Sequence, residues 1–199
     1  MNPEHTANYD AEAEVYDETR GGTDRARAAA EAVTALVPPG GTALDVAGGT
    51  GIVSAELAEL GFDVVVADLS PGMLGLAVDR LPGRALVASA DRLPMRDESV
   101  DLVVMVWLLH LLPIRVADTV LAEAARVVRP GGHVVTTVDK DLAHRRVRRT
   151  GADAADRVAA VLGRRGLHLV GQDSFRARSK WGSVTAGDPV FPVAAYRRR

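Results

Sequence analysis

The sequence predicts an α/β protein, a doubly wound, mostly parallel sheet of seven strands with an antiparallel edge strand and helices on both faces. Three observations carry this reading. Short runs of Val, Leu and Ala alternate with stretches of helical spacing, and the early runs lack the polar alternation of a half-exposed strand, as expected where helices cover both faces. Pro-Gly and Gly-Gly pairs fall between the runs, where turns are needed. The last two runs, Leu167 to Phe175 and Val190 to Tyr196, form an antiparallel pair at one edge.

In chain order, Thr23 to Val37 is Ala-rich with Ala29, Val33, Leu36 and Val37 at helical spacing, and Pro38-Pro39-Gly40-Gly41 ends that helix. Strand Thr42 to Val46, helix Thr50 to Leu60, strand Asp63 to Ala67 and helix Pro71 to Leu81 follow. Then come strands Arg84 to Ala88 and Val100 to Val106, helix Ile114 to Val128 and strand His133 to Val138, with Pro82-Gly83, Pro113 and Pro130-Gly131-Gly132 read as turns. A helix from Asp153 to Arg164 precedes the closing pair, and Asp188-Pro189-Val190-Phe191 reads as a loop before the last strand. Such a sheet binds ligands at the carboxyl ends of its strands.

With 199 residues and 47% apolar side chains, the chain is sized for one domain, and the absence of Cys rules out disulfides and thiolate metal sites. The segment 1–37 reads as an N-terminal helical lid, 42–138 as a cofactor-binding core and 139–199 as an acceptor-side helix with edge strands. The first thirty residues lack the basic start and apolar core of a signal peptide, and no apolar run approaches the roughly 20 residues of a membrane helix, which predicts a cytoplasmic protein without a membrane partner. Charge is split. Residues 1–139 carry 10 basic and 21 acidic side chains, residues 140–199 carry 14 and 5, and a basic half is one signature of a nucleic-acid partner.

The strongest chemistry follows the first strand, in LDVAGGTG from Leu44 to Gly51. Gly48, Gly49 and Gly51 let the backbone turn tightly and approach a ligand, and Thr50 opens a helix whose free N–H groups favour an anionic group. Three carboxylates then narrow the ligand. Asp45 precedes the turn and can accept from an ammonium group, Asp68 ends the second strand where it can accept from both hydroxyls of a ribose, and Asp91 follows the third strand within reach of an exocyclic amine. Such a set suits a cationic ligand with ribose and amine groups and suits a pyrophosphate badly. The dinucleotide fingerprint is also incomplete, with Ser54 at the third glycine.

Five motifs in this order resemble the class I S-adenosylmethionine-dependent methyltransferases, which are Rossmann-like. They resemble most the small type 11 group that includes ubiquinone/menaquinone-biosynthesis methyltransferases. The motifs are YDAEAEVYDETR (Tyr9 to Arg20), LDVAGGTG, VVVADLS followed by Pro71-Gly72-Met73, ASADRLPMRDESVDLVVMVWLLHLLP (Ala88 to Pro113) and ARVVRPGGHVV (Ala125 to Val135). The resemblance implies S-adenosyl-L-methionine as cofactor and S-adenosylhomocysteine as product. It places the methionine end at Asp45, Ala47 and the Gly48, Gly49, Thr50, Gly51 turn, and the ribose at Asp68. The adenine would meet Leu69 and Met73 on its face and Ala90, Asp91 and Arg92 at its edge, with Val106 and Trp107 as the floor beneath the sulfonium. Tyr9 and Tyr16 would belong to an N-terminal lid closing over the cofactor, with Tyr16 and Arg20 as cofactor contacts and Tyr9 on the acceptor side. Many relatives carry Gly at Ala47 and a pair of histidines where this chain has His110-Leu111, and no Asn/Asp-Pro-Pro-Tyr stretch follows the fourth strand.

The implied reaction is methyl transfer to a small-molecule acceptor, at O, N or C, by in-line displacement, for which alignment alone contributes about 7–11 kcal/mol in favourable cases. A general base is required only for a hydroxyl or C–H acceptor, and the candidates on the ligand side are His110, His144 and Asp139. Arg145, Arg146, Arg148 and Arg149 suit a carboxylate or phosphate on the acceptor, and Trp181 and Phe191 suit an apolar pocket. The competing readings are an RNA methyltransferase using the basic C-terminal segment, a nicotinamide-dependent oxidoreductase, and a non-catalytic cofactor-binding partner. The aromatic content of 4% makes a nucleic-acid acceptor the weaker choice, and the chain is expected to act as a monomer or homodimer without a metal.

Overall fold

The computed structural model describes residues 8–140, 150–178 and 187–199. Its elements are α1 (Tyr9–Thr19), α2 (Gly22–Leu36), β1 (Thr42–Val46), α3 (Ile52–Glu59), β2 (Asp63–Asp68), α4 (Pro71–Arg80), β3 (Ala85–Val87) and β4 (Val100–Met105). A 3-10 turn (Leu109–Leu111), α5 (Ile114–Val127), β5 (Val128–Thr137), α6 (Ala155–Gly163), β6 (Leu167–Arg176) and β7 (Val190–Arg198) follow. The seven strands form one sheet in the order β3-β2-β1-β4-β5-β7-β6. Strands β1 to β5 pair in parallel, whereas β7 runs antiparallel to β5 and to β6, so the antiparallel pair closes one side of the sheet.

Binary patterning explains the layers. On one face, α5 (Val120, Leu121, Ala124) and α6 (Val158, Val161, Leu162) bury their apolar stripes against Leu44, Val103 and Val134. On the other, α2 (Ala29, Ala30, Val33) and α3 (Val53, Leu57) cover Ala43, Val104, Val135 and Phe191. Alanine dominates the buried face of α2, which lets the helix lie close to the sheet. Chain order reverses at β1, flanked by β2 and β4, so the carboxyl ends of these strands surround the crevice where such sheets bind ligands.

Four local departures from the sequence reading have physical causes. Helix α1, not separated from the lid by the sequence pattern, is started by Asn8, whose side chain accepts from the Ala11 N–H. Helix α3 begins at Ile52 rather than Thr50, because Gly51 takes the cap position in the left-handed region at φ 71°. Pro130-Gly131-Gly132 lies inside β5 instead of preceding a strand at His133. Val128 pairs with Val100 and His133 with Leu102, and the surplus residues form a bulge with Gly131 at φ 79°. The last strand starts at Val190, so only Asp188 and Pro189 belong to the preceding loop. Among the described residues no helix is long and apolar enough to cross a membrane.

Candidate active site

The turn after β1 is built by close approach. A Cβ on Gly48 would lie 2.8 Å from the Asp45 Oδ2 and from the Val66 side chain, so glycine is required there. Ala47 adopts φ 59° without being glycine, held by its N–H donating to the Ala67 carbonyl at 2.7 Å. Gly49 presents the opposite case: nothing lies within 4 Å of the position its Cβ would take, so the space above the turn is open to a ligand.

Two carboxylates flank this turn in different environments. Asp45 is fully buried beneath it and accepts from the Ser54 hydroxyl at 2.5 Å; burial pushes its carboxyl up to about 6. Asp68 ends β2 half-exposed, with Oδ2 accepting from the Gly49 N–H at 2.9 Å and Oδ1 from the Ser70 N–H at 2.8 Å. These two backbone bonds fix the carboxylate and leave further lone pairs for a diol.

Helix α1 crosses the open side of the turn. Tyr9 and Tyr16 meet edge to face at 6.1 Å, and the Arg20 guanidinium lies 5.2 Å from the Tyr16 ring centre. Burial raises both tyrosine hydroxyls, and the charge of Asp68 adds to each. Two acids dock the helix. Asp17 accepts from the Thr50 hydroxyl and from Arg80, each at 2.6 Å, while Asp10 accepts from the Ser70 hydroxyl at 2.5 Å and the Gly72 N–H at 2.8 Å. Burial of Thr50 thus reflects its contact with α1, a role the sequence reading did not give it.

The floor is Trp107, just past β4, in the left-handed region at φ 61° and held by its N–H donating to the Thr137 hydroxyl at 2.8 Å. Phe175 and Phe191 pack edge-on against its ring, at 5.6 and 5.8 Å, and Val106 adjoins it in the same cluster. The Arg25 guanidinium stacks on the indole 3.6 Å from the ring centre. Arg25 Nε and Trp107 Nε1 are buried without hydrogen-bond partners. Tyr16, Arg20, Arg25, Ile52 and Trp107 line a small cavity at this point. Burial pulls Arg25 down to about 10. Sequence reading missed Arg25, although its position one turn before Ala29 and Val33, on the apolar stripe of α2, was the available signal.

The remaining candidates differ in their surroundings. Leu69 is 69% exposed after β2, whereas Met73, in the first turn of α4, is 2% exposed. Ala90 is half-buried, and Asp91 and Arg92 are exposed beyond β3, with the Ser89 hydroxyl donating to Asp91 at 2.5 Å. His110 lies buried in the 3-10 turn, its Nε2 2.6 Å from Lys140 Nζ. His144, Arg145, Arg146, Arg148, Arg149 and Trp181 lie outside the described residues.

The residues fit a cationic nucleoside ligand: space above Gly49, a fixed carboxylate at the end of β2, and two orphaned donors on the floor. A family model described as a methyltransferase domain matches residues 44–136, the span from the glycine turn to the end of β5. That match covers 93 of the 199 residues, just under half of the chain. It is 46% identical over 98 residues to a demethylmenaquinone methyltransferase of Beutenbergia cavernae, covering 49% of this chain and 40% of that protein. It is 40% identical over 109 residues to a ubiquinone/menaquinone biosynthesis C-methyltransferase of Xanthomonas campestris, covering 50% and 42%. The matched region spans about two fifths of the length of each of these curated relatives. A solved Pyrococcus horikoshii protein shares the fold at TM-score 0.71 and 18% identity, over 98% of this chain and 100% of that one. A Synechocystis magnesium protoporphyrin IX methyltransferase with bound S-adenosylhomocysteine shares it at TM-score 0.65 and 16% identity, over 89% and 83%.

Proposed function

We propose that the chain transfers a methyl group from S-adenosylmethionine to a small-molecule acceptor. The observation that carries this reading is the Asp68 carboxylate, fixed by the Gly49 and Ser70 N–H groups beside open space above the turn. A dinucleotide is disfavoured because the buried Asp45 lies directly under the backbone that its pyrophosphate would approach.

When bound, the cofactor supplies a methyl group already activated on a sulfonium sulfur. Asp68 accepts from the ribose hydroxyls, Asp45 lends negative charge beneath the methionine ammonium, and Arg25 faces the carboxylate with Arg20 at its flank. Leu69 and Met73 flank the adenine, Ala90, Asp91 and Arg92 its edge. Ala47, Gly48, Gly49, Thr50 and Gly51 shape the turn, and Val106 and Trp107 hold the reacting centre against the sheet. Tyr9 and Tyr16 exclude water from it. Tyr9 and His110 are assigned to the acceptor, as are His144, Arg145, Arg146 and Trp181 on the sequence alone, with His110 or His144 as the base where the acceptor must lose a proton.

The two curated relatives are named for quinone biosynthesis, and an aromatic quinol-type ring is the first acceptor class to test. Asp68→Ala is expected to abolish S-adenosylhomocysteine binding in a calorimeter while the circular dichroism spectrum stays that of the parent. Unchanged affinity in a folded variant overturns the cofactor assignment. Tryptophan quenching by reduced nicotinamide cofactor would instead establish the oxidoreductase reading.

A further inference from the structure

The contact between Lys140 Nζ and His110 Nε2, at 2.6 Å, joins two loops that leave adjacent parallel strands. Both loops are built to hold it. After β4, Trp107 takes a left-handed φ of 61°, and after β5, Asp139 takes one of 49°, conformations that non-glycine residues keep only when the surroundings impose them. Thr137 fixes the first through the Trp107 N–H. Asp153, 2% exposed, fixes the second: its carbonyl accepts from the Asp139 N–H at 2.9 Å and its Oδ2 from the Lys140 N–H at 2.8 Å. His110 is itself 7% exposed.

An ammonium and an imidazolium cannot share so short a contact away from bulk water, so one member of the pair is neutral. Among the described residues, Asp153 accepts from the backbone N–H of Lys140, and the Tyr196 hydroxyl of β7 feels the charge of Asp139. A lysine N–H aimed at a neutral imidazole nitrogen is a donor and an acceptor held together on the edge of the sheet where Trp107 forms the floor of the site.

We propose that His110 and Lys140 form an acid–base pair that binds and ionises a hydroxyl of the acceptor, a phenolic, enolic or quinol oxygen. The inference rests on the methyltransferase reading. The acceptor oxygen enters between the two side chains. Its O–H bond breaks, the proton passes to His110 Nε2, the electron pair stays on oxygen, and the Lys140 ammonium, released from the imidazole, donates to the oxyanion. No oxidant or reductant is involved. The ionised oxygen, or the ring carbon beside it, is then the nucleophile that forms the bond to methyl as the sulfur–methyl bond breaks and its electron pair stays on sulfur. His110 is the catalytic base, and Lys140 holds the product of the ionisation.

The test uses 4-nitrocatechol, whose anion absorbs at longer wavelength than its neutral form, titrated into the protein saturated with S-adenosylhomocysteine at a pH below the probe's solution pKa. The parent is expected to bind it with the spectrum of the anion. Lys140→Met and His110→Gln are each expected to bind it about tenfold or more weakly and with the neutral spectrum, the scale of one lost charge-assisted hydrogen bond. Lys140→Arg, which keeps the cation, is expected to recover the anion spectrum and serves if the Met variant fails to fold. A neutral spectrum or no probe binding in the parent overturns the pair's role, as does an anion spectrum in either Lys140→Met or His110→Gln. Absence of S-adenosylhomocysteine binding by the parent is the separate failure that overturns the methyltransferase reading itself.

Discussion

Asp45 shows how one residue can be costly for the fold and useful for the ligand. Its carboxyl is raised from an ordinary 3.8 to about 6 by burial, against which the Ser54 hydroxyl bond works in the other direction. In that interval the folded chain holds a proton that the unfolded chain has released. Stability from this group is therefore greatest below about pH 4 and is lost as pH rises through about 6, by about 2–3 kcal/mol in all. Asp45→Asn removes the ionisation. Scanning calorimetry is expected to give the Asn variant a melting temperature above the parent's at about pH 7.5, with the difference vanishing toward about pH 4. A bound ammonium group favours the ionised form, so the parent's affinity for S-adenosylmethionine is expected to climb between about pH 5 and about pH 7, and the variant's to be weaker and flat. A variant that melts below the parent at neutral pH would show that Asp45 is stabilised by its surroundings rather than strained by burial.

At the scale of elements, α1 is held to the core by two carboxylates near its ends, Asp10 on the first turn of α4 and Asp17 on the Thr50–Arg80 pair. The buried apolar residue of α1 is Ala13, so polar contacts dominate its docking. Losing one charge-assisted pair at 16% and 31% side-chain exposure weakens closure by about 1–2 kcal/mol. Asp17→Ala is thus expected to raise the dissociation rate of S-adenosylhomocysteine about 5- to 30-fold in stopped flow, and to speed protease cleavage within α1. An unchanged rate would mean that α1 does not gate the site. This docking was hidden in the sequence because Asp10 and Asp17 read as solvated charges at the start of an acidic stretch. Their partners lie 33 to 63 residues away, beyond any local pattern. Elements whose cause is local were legible: β1 was bounded to the residue, and α2, α4 and α5 to within one residue at each end. The β5 bulge was not, because Pro130-Gly131-Gly132 carries a turn signature that tertiary pairing with Val100 and Leu102 overrides. Among candidate site residues, Asp45, Asp68 and Trp107 were legible as candidates because they lie at or just beyond the carboxyl ends of predicted strands. Arg25 and Lys140 were not legible, since their partners Trp107 and His110 meet them only through the sheet.

Across the whole molecule, the acidic first part and the basic last part are opposite charges that fold against each other. Arg157 pairs with Asp118, and Arg198 with Glu98 at 2.7 Å, each bond crossing from one part to the other. Arg198 does more than pair. Its Nη1 also donates to the carbonyls of Ala125 at 2.8 Å and Val128 at 2.7 Å, two of the groups that α5 leaves unsatisfied where it runs directly into β5. Arg197 donates to the Gly131 carbonyl in the β5 bulge. The side chain of Arg198 is 22% exposed, so these carbonyls have little water to turn to if it is removed. Losing it should cost about 1–3 kcal/mol, the penalty for leaving buried acceptors unpaired. For a chain of this size each kcal/mol moves the midpoint by about 2–4 °C. Arg198→Met, which keeps the aliphatic stem, is accordingly expected to melt about 2–12 °C below the parent with unchanged S-adenosylhomocysteine affinity, because the site lies at the opposite ends of the strands. The same variant separates the two meanings of the basic segment. If Arg198 is a structural donor, single-stranded RNA added at low salt leaves parent and variant melting points unmoved; if the basic face served nucleic acid, RNA would raise the parent's midpoint, raise the variant's less, and lose both effects as salt is added.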